Sequence, residues 1–274
     1  MKDIYQKAAK IVKESDALLV TAGAGIGVDS GLPDFRGNTG FWKEYPVIKD
    51  LGVSFVEMAN PEWFVSDPKL AWAFYGHRMN LYRSTVPHKG FNQLLEVGKQ
   101  KDYGYFVYTS NVDGQFQIAG FDDDKIVECH GSIHHLQCVS SCSSDIWSAK
   151  DTEVIVDKDT FTAGSPLPEC PKCGSLARPN VLMFGDWGWF PERTDAQSKR
   201  MANWLGEIQR NNAKLAIIEL GAGTAVPSVR MKSRNVAHYK NATLIRINPR
   251  DYKTNNGISI PTGAAEGIER IINF

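Results

Sequence analysis

The chain has 274 residues, 42% of them hydrophobic and 23% charged, with 31 basic residues against 31 acidic ones. That length can bury a sizeable core in one large domain, or in a large and a small one, and the balanced charge gives no sign of a nucleic-acid-binding stripe or an acidic tail. No apolar run approaches the roughly 20 residues that span a bilayer, and Met1-Lys2-Asp3-Ile4-Tyr5 lacks the apolar stretch of a secretion signal. A cytoplasmic protein is expected, with neither nucleic acid nor membrane as a partner.

Residues 4–14 place apolar side chains at 4, 8, 11 and 12, a helical spacing. The apolar run 17–20 then reads as a short buried strand. It feeds into Thr21-Ala22-Gly23-Ala24-Gly25-Ile26-Gly27, small residues that let backbone N–H groups approach a pyrophosphate with no Cβ in the way. The glycines do not match the G-x-G-x-x-G dinucleotide fingerprint, and no acidic residue closes a following strand about 20 residues on. A tight turn that binds nothing is the alternative. Asp34, Phe35 and Arg36, bracketed by Pro33 and Gly37, have no packing purpose in a loop and read as functional.

Residues 38–90 read as a mainly helical, aromatic-rich insertion, with Pro61 and Pro68 each placed for a first helical turn. Tyr75 and Arg78 share a helix face at i and i+3, and taken alone they read as surface decoration. Tyr105–Thr109 is a strand ending in Ser110-Asn111-Val112-Asp113-Gly114. Ligands of open α/β sheets sit beyond the carboxyl ends of strands, so Asn111 and Asp113 fall where a ribose or a leaving group would lie. Residues 125–129 form another strand, which delivers His130-Gly131-Ser132. His130 is a candidate general base; the alternative is a satisfied structural histidine.

All five cysteines fall between Cys129 and Cys173. Two pairs stand out, Cys138 with Cys142 and Cys170 with Cys173, and such paired spacing points to a closed tetrahedral zinc shell rather than to disulfides. Cys129 is left over as a small buried residue, and His134 and His135 are bystanders on the strand leading in. The segment 139–169, with a short alternating piece at 153–156, fits a small zinc-bearing module. Residues 178–186 return to the larger domain. A helix over 196–211 follows, then a buried strand Leu215–Leu220 ending in Gly221-Ala222-Gly223-Thr224, and a last strand, 243–247, ending in Asn248-Pro249. These strand ends converge on one edge of the sheet.

Gly23-Ala24-Gly25-Ile26, Pro33-Asp34-Phe35-Arg36-Gly37, Asn111-Val112-Asp113, Ala119-Gly120, Glu128 with His130-Gly131-Ser132, the cysteine pairs, Phe184-Gly185, Gly221 and Asn248 occur in the order typical of sirtuins. The chain resembles that family over nearly its whole length. The resemblance implies an α/β fold: a Rossmann-like parallel sheet with helices on both faces (1–37, 86–135 and 178–274), a helical insertion (38–85) and a small zinc-ribbon module (136–177). It implies NAD-dependent removal of acyl groups from lysine, with the acyl group passing to ADP-ribose and nicotinamide released. The implied partners are NAD, a structural Zn2+ and acylated lysine in protein or peptide substrates.

By the same resemblance, Gly23, Ala24, Gly25 and Ile26 cradle the pyrophosphate, and Asp34, Phe35 and Arg36 belong to the cofactor loop. Ser110, Asn111 and Asp113 line the nicotinamide and ribose pocket. Gly221, Ala222, Gly223, Asn248, Arg250 and Ala264 reach the rest of the dinucleotide, and His130 is the general base. Phe184 and Gly185 bind the peptide. Tyr75 and Arg78 match the pair that reads a succinyl, malonyl or glutaryl carboxylate in some members. Departures also occur. Ser110 stands for the usual Gln, Gln115-Phe116 for Leu-His, Gly221-Ala222-Gly223 for Gly-Thr-Ser, and Asp186-Trp187-Gly188-Trp189 replaces the usual peptide strand. Such changes near Asn-x-Asp are similar to those of macrodomain-linked sirtuins, so a protein ADP-ribosyltransferase or NAD-cleaving enzyme is the alternative activity. A non-catalytic NAD-binding module is a third reading.

Overall fold

The computed structural model describes residues 2–33 and 37–274, the side chains of residues 2 and 37–40 excepted. Its strands in chain order are β1 (Ala17–Ala22), β2 (Tyr105–Thr109), β3 (Ile126–Glu128), β4 (Gly131–Cys138), β5 (Trp147–Ser148), β6 (Val156–Asp157), β7 (Thr162–Ala163), β8 (Ala177–Val181), β9 (Leu215–Leu220), β10 (Ala242–Ile247) and β11 (Ile258–Ile260). Six of them form a parallel sheet in the order β11-β10-β9-β1-β2-β3. Side chains alternate across it because a strand has a period of two. Leu18, Val20, Ala216 and Ile218 face the helices Lys2–Glu14, Lys89–Lys99 and Ala264–Ile272. Leu19, Leu215 and Ile217 face Glu192–Arg210 and Ser228–Ala237. Burial on both faces explains why these strands read as continuous apolar runs rather than as alternating ones.

The expected Rossmann-like sheet with helices on both faces is therefore present. Parallel order sends the ends of β1, β2, β3, β9 and β10 to one edge, as the positions of their terminal residues anticipated. Helix 196–211 was expected to start later than it does; it begins at Glu192, where Asp195 and Glu192 place acidic side chains in the first turn. The alternating piece at 153–156 shrinks to β6, which begins at Val156 and pairs with β7.

A third core lies away from the sheet. Phe41, Tyr45, Trp72, Phe74 and Tyr75 pack with Ile133, Leu136, Ala149, Ala163 and Ala177. The helix Pro68–Ser84 carries most of these aromatics. Its Trp72 donates its indole N–H to the Ala177 carbonyl (3.0 Å), Asn80 donates to Val154 (2.9 Å), and Arg83 donates to Thr152 and Ala149 (2.7 and 2.5 Å). Among the described residues, no helix is long and apolar enough to cross a membrane.

Candidate active site

The glycine turn is built from two strand ends in contact. Leaving β1, Gly23 donates its N–H to Leu220 at the end of β9 (3.0 Å), and Gly25 donates to the Gly221 carbonyl (3.1 Å). Gly221 sits at φ +57, and a Cβ there would lie 2.4 Å from the Gly25 backbone, so only glycine lets the two turns touch. Residues Ala24–Ser30 then form a 3₁₀ helix. Glycines at 25 and 27 lower helix propensity, and short 3₁₀ pieces are what remain.

Asn248, at the end of β10, closes this wall. Its amide donates to the Ala222 carbonyl (2.9 Å), and its side-chain oxygen accepts from the Arg250 and Asp251 N–H groups (3.0 Å each). Arg230 also donates to Ala222 (3.1 and 3.2 Å), a contact that sequence spacing gave no sign of. Gly223 lies half-buried beyond Ala222, and Ala264 is buried at the first turn of its helix. The next residue, Ala265, donates its N–H to Asp29 in the glycine segment (2.8 Å). This wall is made largely of backbone, with small residues at Gly23, Gly25, Gly221 and Ala222. Asp34, Phe35 and Arg36, expected in the cofactor loop, lie outside the described residues.

The other side of the edge is made of side chains. Asn111 is buried, its N–H donating to Thr109 Oγ1 (3.0 Å). Asp113 is buried and accepts from the Gln115 N–H (3.0 Å). Burial pushes its carboxyl up to about 6, against the pull of that bond and of Arg78. His134 is more than a bystander, since its Nε2–H donates to the Asp113 carbonyl (2.9 Å) and holds the turn.

His130 is half-buried where β3 hands over to β4. Its ring bonds the Ser110 carbonyl, and its Nε2 lies 3.3 Å from the Ser228 hydroxyl. The Ser228 hydroxyl can donate to that nitrogen or accept from it. Burial lowers the imidazole pKa below its usual value. A neutral ring is what a general base requires. Ser228, far along the chain, was not among the expected residues.

Gln115 and Phe116, which depart from the family at the acceptor wall, do not line an open surface. Gln115 donates to the Tyr82 and Thr85 carbonyls (3.2 and 3.3 Å), and Phe116 packs between Phe91 and Phe121 at ring distances of 5.0 and 5.1 Å.

Tyr75 and Arg78 are corrected more sharply. Read from spacing as surface decoration, they are 1% and 7% exposed. Arg78 lies over the rings of Phe74, Tyr75 and Tyr82 at 5.1, 5.7 and 5.5 Å, and its Nε donates to the Tyr82 hydroxyl (3.0 Å). Cation–π contact accommodates a buried guanidinium that the polar residue pattern disguised. The Tyr75 hydroxyl is buried without a hydrogen-bond partner among the described residues.

Phe184 and Gly185 follow β8 in a loop organised by Asp186. That carboxylate accepts from Arg178 (2.8 Å) and from the Met183 and Gly188 N–H groups (3.3 and 3.1 Å). The loop presents Phe184 at 36% exposure and Trp187 at 97%.

The four paired cysteines meet at the far end of β4, their sulfurs all within 4.8 Å of one another. Cys138 lies 3.7 Å from Cys173, and Cys142 lies 3.6 Å from Cys170. Tetrahedral zinc with bonds of about 2.3 Å needs sulfurs about 3.8 Å apart, so these thiols fit it. Cys129 is half-buried rather than buried, beside the Tyr108 phenol, and burial pushes its thiol up to about 11.

A parallel sheet whose strand ends present two touching glycine turns and a buried-edge histidine, with a separate thiolate cluster, defines a nucleotide-binding α/β protein with a structural metal centre. The Sir2 family model matches residues 23–204, and the chain belongs to that family. It is 37% identical over 182 residues to an NAD-dependent protein deacylase of Thermococcus kodakarensis, covering 65% of this chain and 63% of that protein. The match thus spans less than two thirds of that relative's length. An NAD-dependent protein deacylase of Aquifex aeolicus is 30% identical over 238 residues, covering 85% and 84% of the two chains. Among solved structures, a mutant Sir2 homologue in complex with ADP-ribose superposes with a TM-score of 0.69 at 26% identity, over 98% of this chain and 95% of that one.

Proposed function

We propose that this protein is an NAD-dependent protein-lysine deacylase acting in the cytoplasm, a compartment whose reducing conditions suit a thiolate metal centre. The observation that carries the reading is His130, kept neutral by burial and set beside Ser228 at the sheet edge that also presents Asn111 and Asp113. Bound NAD supplies an electrophilic ribose carbon when nicotinamide departs. The chain's own groups do the rest. Gly23, Ala24, Gly25 and Ile26, with Gly221, Ala222, Gly223, Asn248, Arg250 and Ala264, hold the dinucleotide. Asn111 and Asp113, with Ser110 beside them, orient the nicotinamide end, and His130 Nε2 takes the proton of a ribose hydroxyl. The peptide lies along Phe184 and Gly185. Cys138, Cys142, Cys170 and Cys173 hold the zinc that keeps the module folded.

Tyr75 and Arg78 favour an acidic acyl group. A buried phenol with no partner beside a guanidinium is costly in an apolar core, and an acyl carboxylate would satisfy the phenol's hydroxyl. The test is to incubate the protein with NAD and acetyl-, succinyl- or unmodified peptide and to identify products by mass spectrometry. Nicotinamide release should need an acylated peptide, should be faster with succinyl, and should yield O-acyl-ADP-ribose. His130→Ala should lower the rate by about 10²- to 10⁴-fold, the usual contribution of a general base. ADP-ribose appearing on protein without any acyl substrate would overturn the reading.

A further inference from the structure

The glycine segment Ala24–Ser30 is a 3₁₀ helix, whose hydrogen bonds are poorer than those of an α-helix, yet it must present a fixed backbone to a charged ligand. Its anchors come from outside. One is the bond from Ala265 to Asp29 already described. Another is the bond from Gly25 to the Gly221 carbonyl, and two more come from His88, the N-cap residue of the helix Lys89–Lys99. The His88 backbone N–H donates to Ser30 Oγ (2.9 Å). Its ring stands between two backbone groups: Nδ1 accepts from the Gly90 N–H (3.1 Å), and Nε2 lies 3.1 Å from the Ile26 carbonyl. An amide N–H only donates and a carbonyl only accepts, so the ring is the neutral Nε2–H tautomer with both nitrogens engaged. The ring also rests on Phe91, with centroids 4.9 Å apart. Gly90 belongs to the same arrangement, because a Cβ there would lie 2.7 Å from His88 Cε1. An Asn or Ser could cap this helix equally well. Only a side chain with a second nitrogen on the far side of the ring reaches Ile26.

We infer that His88 is a positioning residue for NAD: it clamps the Ile26 carbonyl and so fixes the backbone of the glycine segment in its ligand-ready form. The inference rests on the NAD reading above. His88 touches neither the reacting atoms nor the peptide loop. Its loss should therefore weaken the dinucleotide and leave the acyl-peptide step alone.

The informative variant is His88→Asn, which keeps the helix cap and removes the bridge; His88→Ala removes both. Binding of NAD and of ADP-ribose is measured by titration calorimetry alongside thermal unfolding and steady-state kinetics. His88→Asn should bind both nucleotides about 3- to 10-fold more weakly, the size of one lost buried hydrogen bond. Its KM for NAD should rise in proportion, its KM for acyl-peptide and its kcat should stay within about 2-fold, and its melting temperature should be close to that of the unaltered protein. His88→Ala should show the same binding loss together with a lower melting temperature. Nucleotide affinity unchanged in His88→Asn would overturn the clamp, as would equal losses for NAD and acyl-peptide. Failure of the unaltered protein to bind NAD or ADP-ribose would instead overturn the NAD reading itself.

Discussion

The two halves of the strand-end edge are made of different material. Around β1, β9 and β10 the wall is backbone: carbonyls and N–H groups of Gly23, Gly25, Gly221 and Ala222, locked to one another and to Asn248. Around β2 and β3 it is side chain: Asn111, Asp113 and His130, two of them with ionisations moved by burial. A backbone wall has no charge state to lose and binds its ligand by shape, but it tolerates no added atom. A side-chain wall accepts substitution sterically while being sensitive to pH and to each partner.

Gly221→Ala attacks the first wall where it is tightest. The new Cβ meets backbone of Gly25 at 2.4 Å, with no flexible side chain to yield, and φ there is +57. Overpacking and the left-handed backbone together should cost about 2–4 kcal/mol of stability. NAD binding should fall below detection by calorimetry. A variant that melts normally and binds NAD would show that the two turns are not held in contact.

Asp113→Asn probes the second wall. Because burial raises this carboxyl from its ordinary value to about 6, the ionised form carries a folding penalty. The penalty is absent below the unfolded value of about 3.9, grows as pH rises toward 6 and is fully present above it. Neutral Asn, whose oxygen can still accept from Gln115, should therefore stabilise the protein at pH 7 by about 2–3 kcal/mol. Nicotinamide release should drop by at least about 10-fold, and the stability gain should vanish near pH 4. The pH–rate profile should also simplify, leaving only the acid limb of His130, which falls below the usual imidazole value of about 6.5. Chemical unfolding across pH 4–8 decides the first part; a destabilised variant at pH 7 would contradict it.

Ser228→Ala should have the smallest effect. It removes one hydroxyl from His130 Nε2 and leaves the Ser110 contact in place. A 2- to 5-fold lower kcat with unchanged NAD affinity is expected, about the value of one partly exposed hydrogen bond.

How much of this could be read from residues alone follows the same division. The glycines, the strand-end Asn and Asp and the cysteine pairs announce themselves because their function lies in local backbone shape or in short spacing. His88, Ser228, Arg230 and His134 act through bonds to residues far away in the chain, and nothing in their neighbourhoods marks them. Tyr75 and Arg78 were misread from spacing because a polar pair on a helix looks solvated unless one knows that an aromatic core wraps it. The late start given to the helix at Glu192 has another cause: its first turn is acidic and partly polar, so the apolar period only becomes visible further on.

The bonds from Trp72, Asn80 and Arg83 to the carbonyls of Ala177, Val154, Thr152 and Ala149 tie the helix Pro68–Ser84 to the stretch between the two cysteine pairs and to the strand after the second. Mechanically, this helix and the cysteine-bearing stretch are coupled, and a metal held by Cys138, Cys142, Cys170 and Cys173 would act as a rivet at the far end of that coupling. Stripping that metal should loosen this helix as well, and faster hydrogen exchange along residues 68–84 is where the slack would register.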